Sequence, residues 1–131
     1  MKDPSSSPNT STRLIAVVDD DYRVLESLDD LLQSSGYRTT LHPSAENFLE
    51  SADLELVDAL ISDIGLPGIS GIELLRRLRL RSGAQIPTIL ITGRTETYLE
   101  DLARELGALR FFAKPFDTQI LLAELNRKFS P

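Results

Sequence analysis

The chain has 131 residues, the length of one ordinary domain, and its 41% apolar content is enough for one hydrophobic core. A net charge of −6 argues against a general grip on nucleic acid, and the absence of cysteine excludes disulfides and thiolate metal sites and fits a reducing, cytoplasmic compartment. No apolar run reaches the roughly 18 residues needed to span a bilayer, so no membrane association is expected.

The N-terminal stretch "MKDPSSSPNTSTR" has no apolar h-region and is no secretory signal; its Ser, Pro, Asn and Thr predict a disordered arm over 1–12. "LIAVV" (14–18) is β-branched-rich and too short for a helix, so it reads as a buried strand. From Tyr22 to Ser35, Val24, Leu25, Leu28, Leu31 and Leu32 form one helical stripe, with Gly36 as the stop. "YRTTLH" (37–42) reads as a second strand, and Ser44 as the cap of a short helix through Leu49 and Glu50. "ALIS" (59–62) is a third strand. Ser70 with Glu73 fits a capping box opening "GIELLRRLRL", a helix ended by Gly83. "TILIT" (88–92) is a fourth strand. A helix is expected over Thr95–Leu106, with Leu99, Leu102, Ala103 and Leu106 on one face and Gly107 as the stop. "RFFA" (110–113) is a fifth strand, and Asp117 can cap a last helix carrying Ile120, Leu121, Leu122 and Leu125.

Strand and helix thus alternate five times. Continuous apolar strands between amphipathic helices imply an α/β, doubly wound (βα)5 parallel five-stranded sheet with helices on both faces. In such sheets ligands bind beyond the carboxyl ends of the strands. Those ends carry Asp19, Asp20 and Asp21; Asp63; Thr92 with Gly93; and Lys114 with Pro115. Clustered carboxylates raise one another's pKa unless a cation intervenes, and Mg²⁺ prefers oxygen ligands. A carboxylate can also attack phosphorus, and the transferring phosphoryl oxygens then need a metal, an ammonium and hydrogen-bond donors. Asp21 follows the acidic pair and suits a helix N-cap.

The segments "VVDDD", "SDIGLPGISG", "ILITG" and "FFAKPF", in this order, resemble the response-regulator receiver domain of two-component signalling over about residues 13 to 129. The resemblance implies a flavodoxin-like fold for a receiver domain over 13–131. It implies that Asp63 is the phosphoacceptor, supplied by a sensor histidine kinase or a histidine phosphotransfer protein. It further implies that Asp19, Asp20, Asp63 and the backbone carbonyl of Gly65 hold Mg²⁺, with Mn²⁺ or Ca²⁺ as substitutes. Thr92 binds the phosphoryl oxygen and, with Phe111, switches on activation; Lys114 pairs with the phosphoryl group, and Pro115 follows a cis peptide. Receivers of this type act as signalling domains rather than enzymes. They phosphorylate and dephosphorylate themselves, and they pair or meet partners through the fourth helix, fifth strand and fifth helix. Three positions depart from the common pattern: Ser70 for an aspartate, Phe111 for the usual tyrosine, and Gly65 without a side chain.

Other readings rest on the same residues. An aspartate-nucleophile phosphohydrolase of the haloacid-dehalogenase type needs a general acid two residues after the nucleophile, and Gly65 stands there. A pseudo-receiver, an interaction module never phosphorylated, is disfavoured because every needed residue is present. His42, the only histidine, is expected to have no part in the chemistry. The arginines of "RRLRLR" (76–81) read as a solvated helix face. "GLPGISG" is not the dinucleotide pattern, and no P-loop motif occurs.

Overall fold

The structure is a computed structural model that describes residues 13–81, 85–93 and 97–129. The expected arm, Gly83 as a helix stop and Thr95 as a helix start lie outside them. Along the described residues run β1 (Leu14–Val18), α1 (Tyr22–Ser34), β2 (Arg38–His42), α2 (Ala45–Leu49), a 3-10 turn (Ala52–Glu55) and β3 (Ala59–Asp63). After these come α3 (Gly71–Leu80), β4 (Thr88–Thr92), α4 (Thr97–Glu105), β5 (Arg110–Ala113) and α5 (Thr118–Phe129). The strands form one sheet in the order β2-β1-β3-β4-β5, and every neighbouring pair is parallel.

β1, β3 and β4 are buried along their whole length, as unbroken apolar strands should be when helices cover both faces. Alternate residues serve opposite faces. Ile15, Val17, Ile61, Ile89 and Ile91 pack on Leu25, Leu28 and Leu32 of α1 and on Leu121 and Leu125 of α5. Ala16, Val18 and Leu60 pack on Phe48 of α2 and on Leu74 and Leu78 of α3. Leu90 meets Leu75, Leu99 and Ala103, which brings α4 onto the same face. Each fully buried Leu or Ile in these layers contributes roughly 1.5–3 kcal/mol by leaving water. The chain leaves β1 toward one face and β3 toward the other, so the carboxyl ends of these adjacent strands bound the crevice where such sheets bind ligands.

The caps follow local chemistry. Asp21 accepts from the Arg23 amide, Ser44 from Asn47, Ser70 from Glu73 and Asp117 from Gln119. The box at α3 is half of what the sequence suggested. Ser70 takes the Glu73 amide, but the Glu73 carboxylate is held by Arg76 and Arg77, which draw its pKa down to about 2. Thus two arginines of the "RRLRLR" run pair with Glu73, and Arg81 pairs with Glu55. β2 starts at Arg38, one residue later than expected. Tyr37 is buried instead, its hydroxyl donating to Asn126 Oδ1 at 2.6 Å. Leu102, on the stripe with Leu99 and Ala103, remains 38% exposed, and Ile120 is 47% exposed. Among the described residues no helix is long and apolar enough to cross a membrane.

Candidate functional site at the carboxyl ends of the strands

Asp19 leaves β1 as its amide donates to the His42 carbonyl at the end of β2 (3.1 Å). Its side chain turns back into the protein and is 2% exposed. One carboxylate oxygen accepts from the Asp21 amide at 2.8 Å. The next residue, Asp20, is exposed. Asp63 ends β3 and is itself buried; its Oδ1 accepts from the Gly65 amide at 3.1 Å. The Lys114 ammonium, just past β5, donates to Asp63 Oδ2 at 3.1 Å and to Asp19 Oδ2 at 3.4 Å. The Lys114 amide donates to the Thr92 carbonyl (2.7 Å), which ties the ends of β4 and β5 together, and the Lys114–Pro115 peptide is cis.

Burial pushes the Asp19 carboxyl up from its ordinary value, and the nearby Asp63 charge adds to that; the Asp21 amide and Lys114 pull the other way. Burial works against the Lys114 ammonium, but its bond and attraction to Asp63, with help from Asp19, outweigh this and raise its pKa.

One oxygen each from Asp19, Asp20 and Asp63 lie within 4.8 Å of one another, the single such acidic cluster among the described residues. Among the described residues a single ammonium faces these three carboxylates, and negative charge is in excess. The donor set is all oxygen and partly open to solvent, which suits a hard divalent cation that keeps some of its waters. The residues present fit such an ion.

Thr92 is fully buried at the end of β4, and its backbone pairs the same rim. At both Gly65 and Gly93 a Cβ would meet no atom within 4 Å from the other described residues beyond the chain neighbours, and neither residue has a side chain to crowd the strand ends. Phe111 is half-buried against the layer of Leu90, Leu99 and Ala103, and it borders a cleft with Arg104 and Arg110. Phe112 and Phe116 pack on each other with ring centroids 5.9 Å apart. His42 ends β2 with its side chain buried, the ring bonded to Thr40 and Asn47 and edge-on to Phe48.

The structure therefore brings Asp19, Asp20, Asp63 and Lys114 to one place and sets Asp21 aside as the cap of α1. Two residues that shape the site were not singled out from sequence. A Cβ on Gly71 would stand 2.3 Å from the Asp63 carbonyl oxygen, so α3 begins in direct backbone contact with the end of β3. Glu46 on α2 accepts from the Ile69 amide, in the loop that follows Asp63. The three-residue spacing of Gly65, Gly68 and Gly71 was a visible sign of the first. Nothing local signals the second.

Comparison with known proteins gives the same family. The family model for the response regulator receiver domain matches residues 15–126. Transcriptional regulatory protein FixJ of Azorhizobium caulinodans is 42% identical over 112 residues, which is 86% of this chain and 53% of that protein. The chain thus spans about half the length of the curated relatives it matches. The crystal structure of FixJ-N superposes with a TM-score of 0.73 at 33% identity, covering 88% of this chain and 91% of that one. A CheY-like receiver domain protein from Methanospirillum hungatei JF-1 superposes with a TM-score of 0.81 at 29% identity, covering 91% of this chain and 94% of that one.

Proposed function

The chain belongs to the response-regulator receiver domain family, and from that premise we propose that Asp63 is its phosphoacceptor and that residues 13–131 form the receiver unit. The observation that carries the reading is the contact of Lys114 Nζ with Asp63 Oδ2 beside Asp19 and Asp20. An Asp63 oxygen attacks phosphorus; the P–N bond of a phosphohistidine, or the P–O bond of acetyl phosphate, breaks, and the leaving group takes the electron pair. A divalent cation, Mg²⁺ in this reading, held by Asp19, Asp20, Asp63 and the Gly65 carbonyl supplies charge neutralisation for the transferred group. Lys114 moves its ammonium from the Asp63 carboxylate to a phosphoryl oxygen, and the Thr92 hydroxyl turns to another. The inward shift of Thr92 frees Phe111 to follow, which passes the change to α4, β5 and α5. That face is the proposed surface for pairing with a second copy. The phosphoryl source is a histidine kinase or histidine phosphotransfer protein in the cytoplasm. The domain itself, at a net charge of −6, does not grip nucleic acid.

The phosphohydrolase reading lacks its general acid: Gly65 occupies that position, with no atom within 4 Å of where a side chain would begin. Incubation with acetyl phosphate separates the two. The receiver reading expects labelling that rises to about one phosphoryl group per chain with Mg²⁺ and stays at background with EDTA. Release of many equivalents of phosphate per chain at catalytic speed would favour the hydrolase and overturn the receiver mechanism.

A further inference from the structure

Gly65, Gly68 and Gly71 have three different surroundings. Gly65 is open, and Gly71 packs on the Asp63 carbonyl. Gly68 has φ +75°, and a Cβ there would lie 2.2 Å from Glu46 Oε2. The Glu46 carboxylate is seated directly over Gly68, and Oε2 accepts from the next amide, that of Ile69, at 2.9 Å. The partners are 23 residues apart in sequence. Glu46 Oε1 has no exposed surface and no hydrogen-bond partner among the described residues. The Ile69 amide, and then the residue's own amide, hold the Glu46 carboxyl below its ordinary pKa.

That bond reaches a loop that is otherwise tied to β4, through the Ile64 amide and the Ile91 carbonyl (2.8 Å), and to itself. The Gly65 amide bonds Asp63 Oδ1, the Leu66 and Gly71 amides both bond the Ile64 carbonyl, and Ser70 caps α3. These bonds join the two ends of the loop at Ile64, next to Asp63, and Glu46 ties its middle to α2. We propose that Glu46 is a positioning residue for Asp63. By holding the Ile69 amide over Gly68 it keeps the loop where the Gly65 amide fixes the Asp63 carboxylate for its cation. This rests on the receiver reading for the cation but not for the loop geometry.

Two variants separate reach from charge. Glu46→Asp keeps the charge and withdraws the oxygen by one methylene. Glu46→Gln keeps the reach, its carboxamide oxygen accepting from Ile69. The readouts are hydrogen exchange of the Gly65 amide by NMR in metal-free protein and Mg²⁺ affinity by calorimetry. E46D should exchange Gly65 about tenfold faster and bind Mg²⁺ about tenfold more weakly, the usual scale for losing a group that orients a metal ligand. E46Q should stay within about twofold of the parent in both. Parent-like Gly65 exchange in E46D overturns the proposal, even where its melting temperature falls, because that is a purely structural tie. E46Q as impaired as E46D overturns it as well. A parent protein that gives no Mg²⁺ heat contradicts the receiver reading alone, and Gly65 exchange then still decides the role of Glu46.

Discussion

Asp63→Asn abolishes phosphoryl labelling by acetyl phosphate, to background at every Mg²⁺ concentration, while the protein stays folded. The side chains are nearly isosteric, and an asparagine oxygen can still accept from the Gly65 amide that now bonds Asp63 Oδ1. What is lost is the proposed nucleophile, since an amide nitrogen does not attack phosphorus. A second effect comes with it. The Asn amide group presents a donor where Lys114 now donates at 3.1 Å, so the ammonium swings to Asp19, its other partner at 3.4 Å. Asp63 is what chiefly raises the Lys114 pKa against burial, so that pKa falls in the variant. The Asp19 carboxyl moves down, because the Asp63 charge that helps hold it up is gone. Intact-mass spectrometry reads the labelling and NMR titration reads the two shifts. Parent-level labelling of the variant would place the nucleophile elsewhere.

Gly71→Ala destabilises the domain although it replaces glycine with the best helix former. In a free helix the change gains about 1 kcal/mol. Here the new methyl meets the Asp63 carbonyl oxygen at 2.3 Å and the Ile64 Cα at 2.8 Å, both backbone atoms that cannot rotate away. Relief requires α3 to lift from the end of β3, which opens the contacts of Leu74 and Leu75, both fully buried. Overpacking of this kind costs roughly 1–3 kcal/mol or more, which outweighs the propensity gain. The melting temperature should fall by several degrees, on the order of 5–10 °C. Labelling should slow as well, because the backbone that moves carries Asp63. An unchanged or higher melting temperature would show that the contact is relieved at no cost.

The sheet was legible in the sequence because its strands are short apolar runs buried on both faces, and such runs can be read one at a time. "LIAVV" and "TILIT" match β1 and β4 residue for residue. The acidic cluster followed, since parallel strands bring their carboxyl ends together and only the residues just past them need be inspected. Asp21 separated from Asp19 and Asp20 for a local reason, the cap it gives to α1. The less legible parts depend on distant partners. Glu73 looked like a capping acid until Arg76 and Arg77 competed for its carboxylate. Leu102 fits the apolar stripe of α4 by period yet faces out, because the cluster above β3 and β4 is filled by Leu75, Leu99 and Ala103. Glu46 and Gly68 meet only after β2, β3 and the intervening turn have folded, so no local pattern announces the pair.

The most direct test of Asp63 as phosphoacceptor is chemical trapping of the phosphorylated residue. Protein treated with acetyl phosphate and Mg²⁺ is reduced with borohydride, which converts an aspartyl phosphate to homoserine, and the peptides are sequenced by mass spectrometry. Homoserine at position 63, absent when EDTA replaces Mg²⁺, is the expected result. Homoserine at position 19, 20 or 21 with Asp63 intact would contradict it.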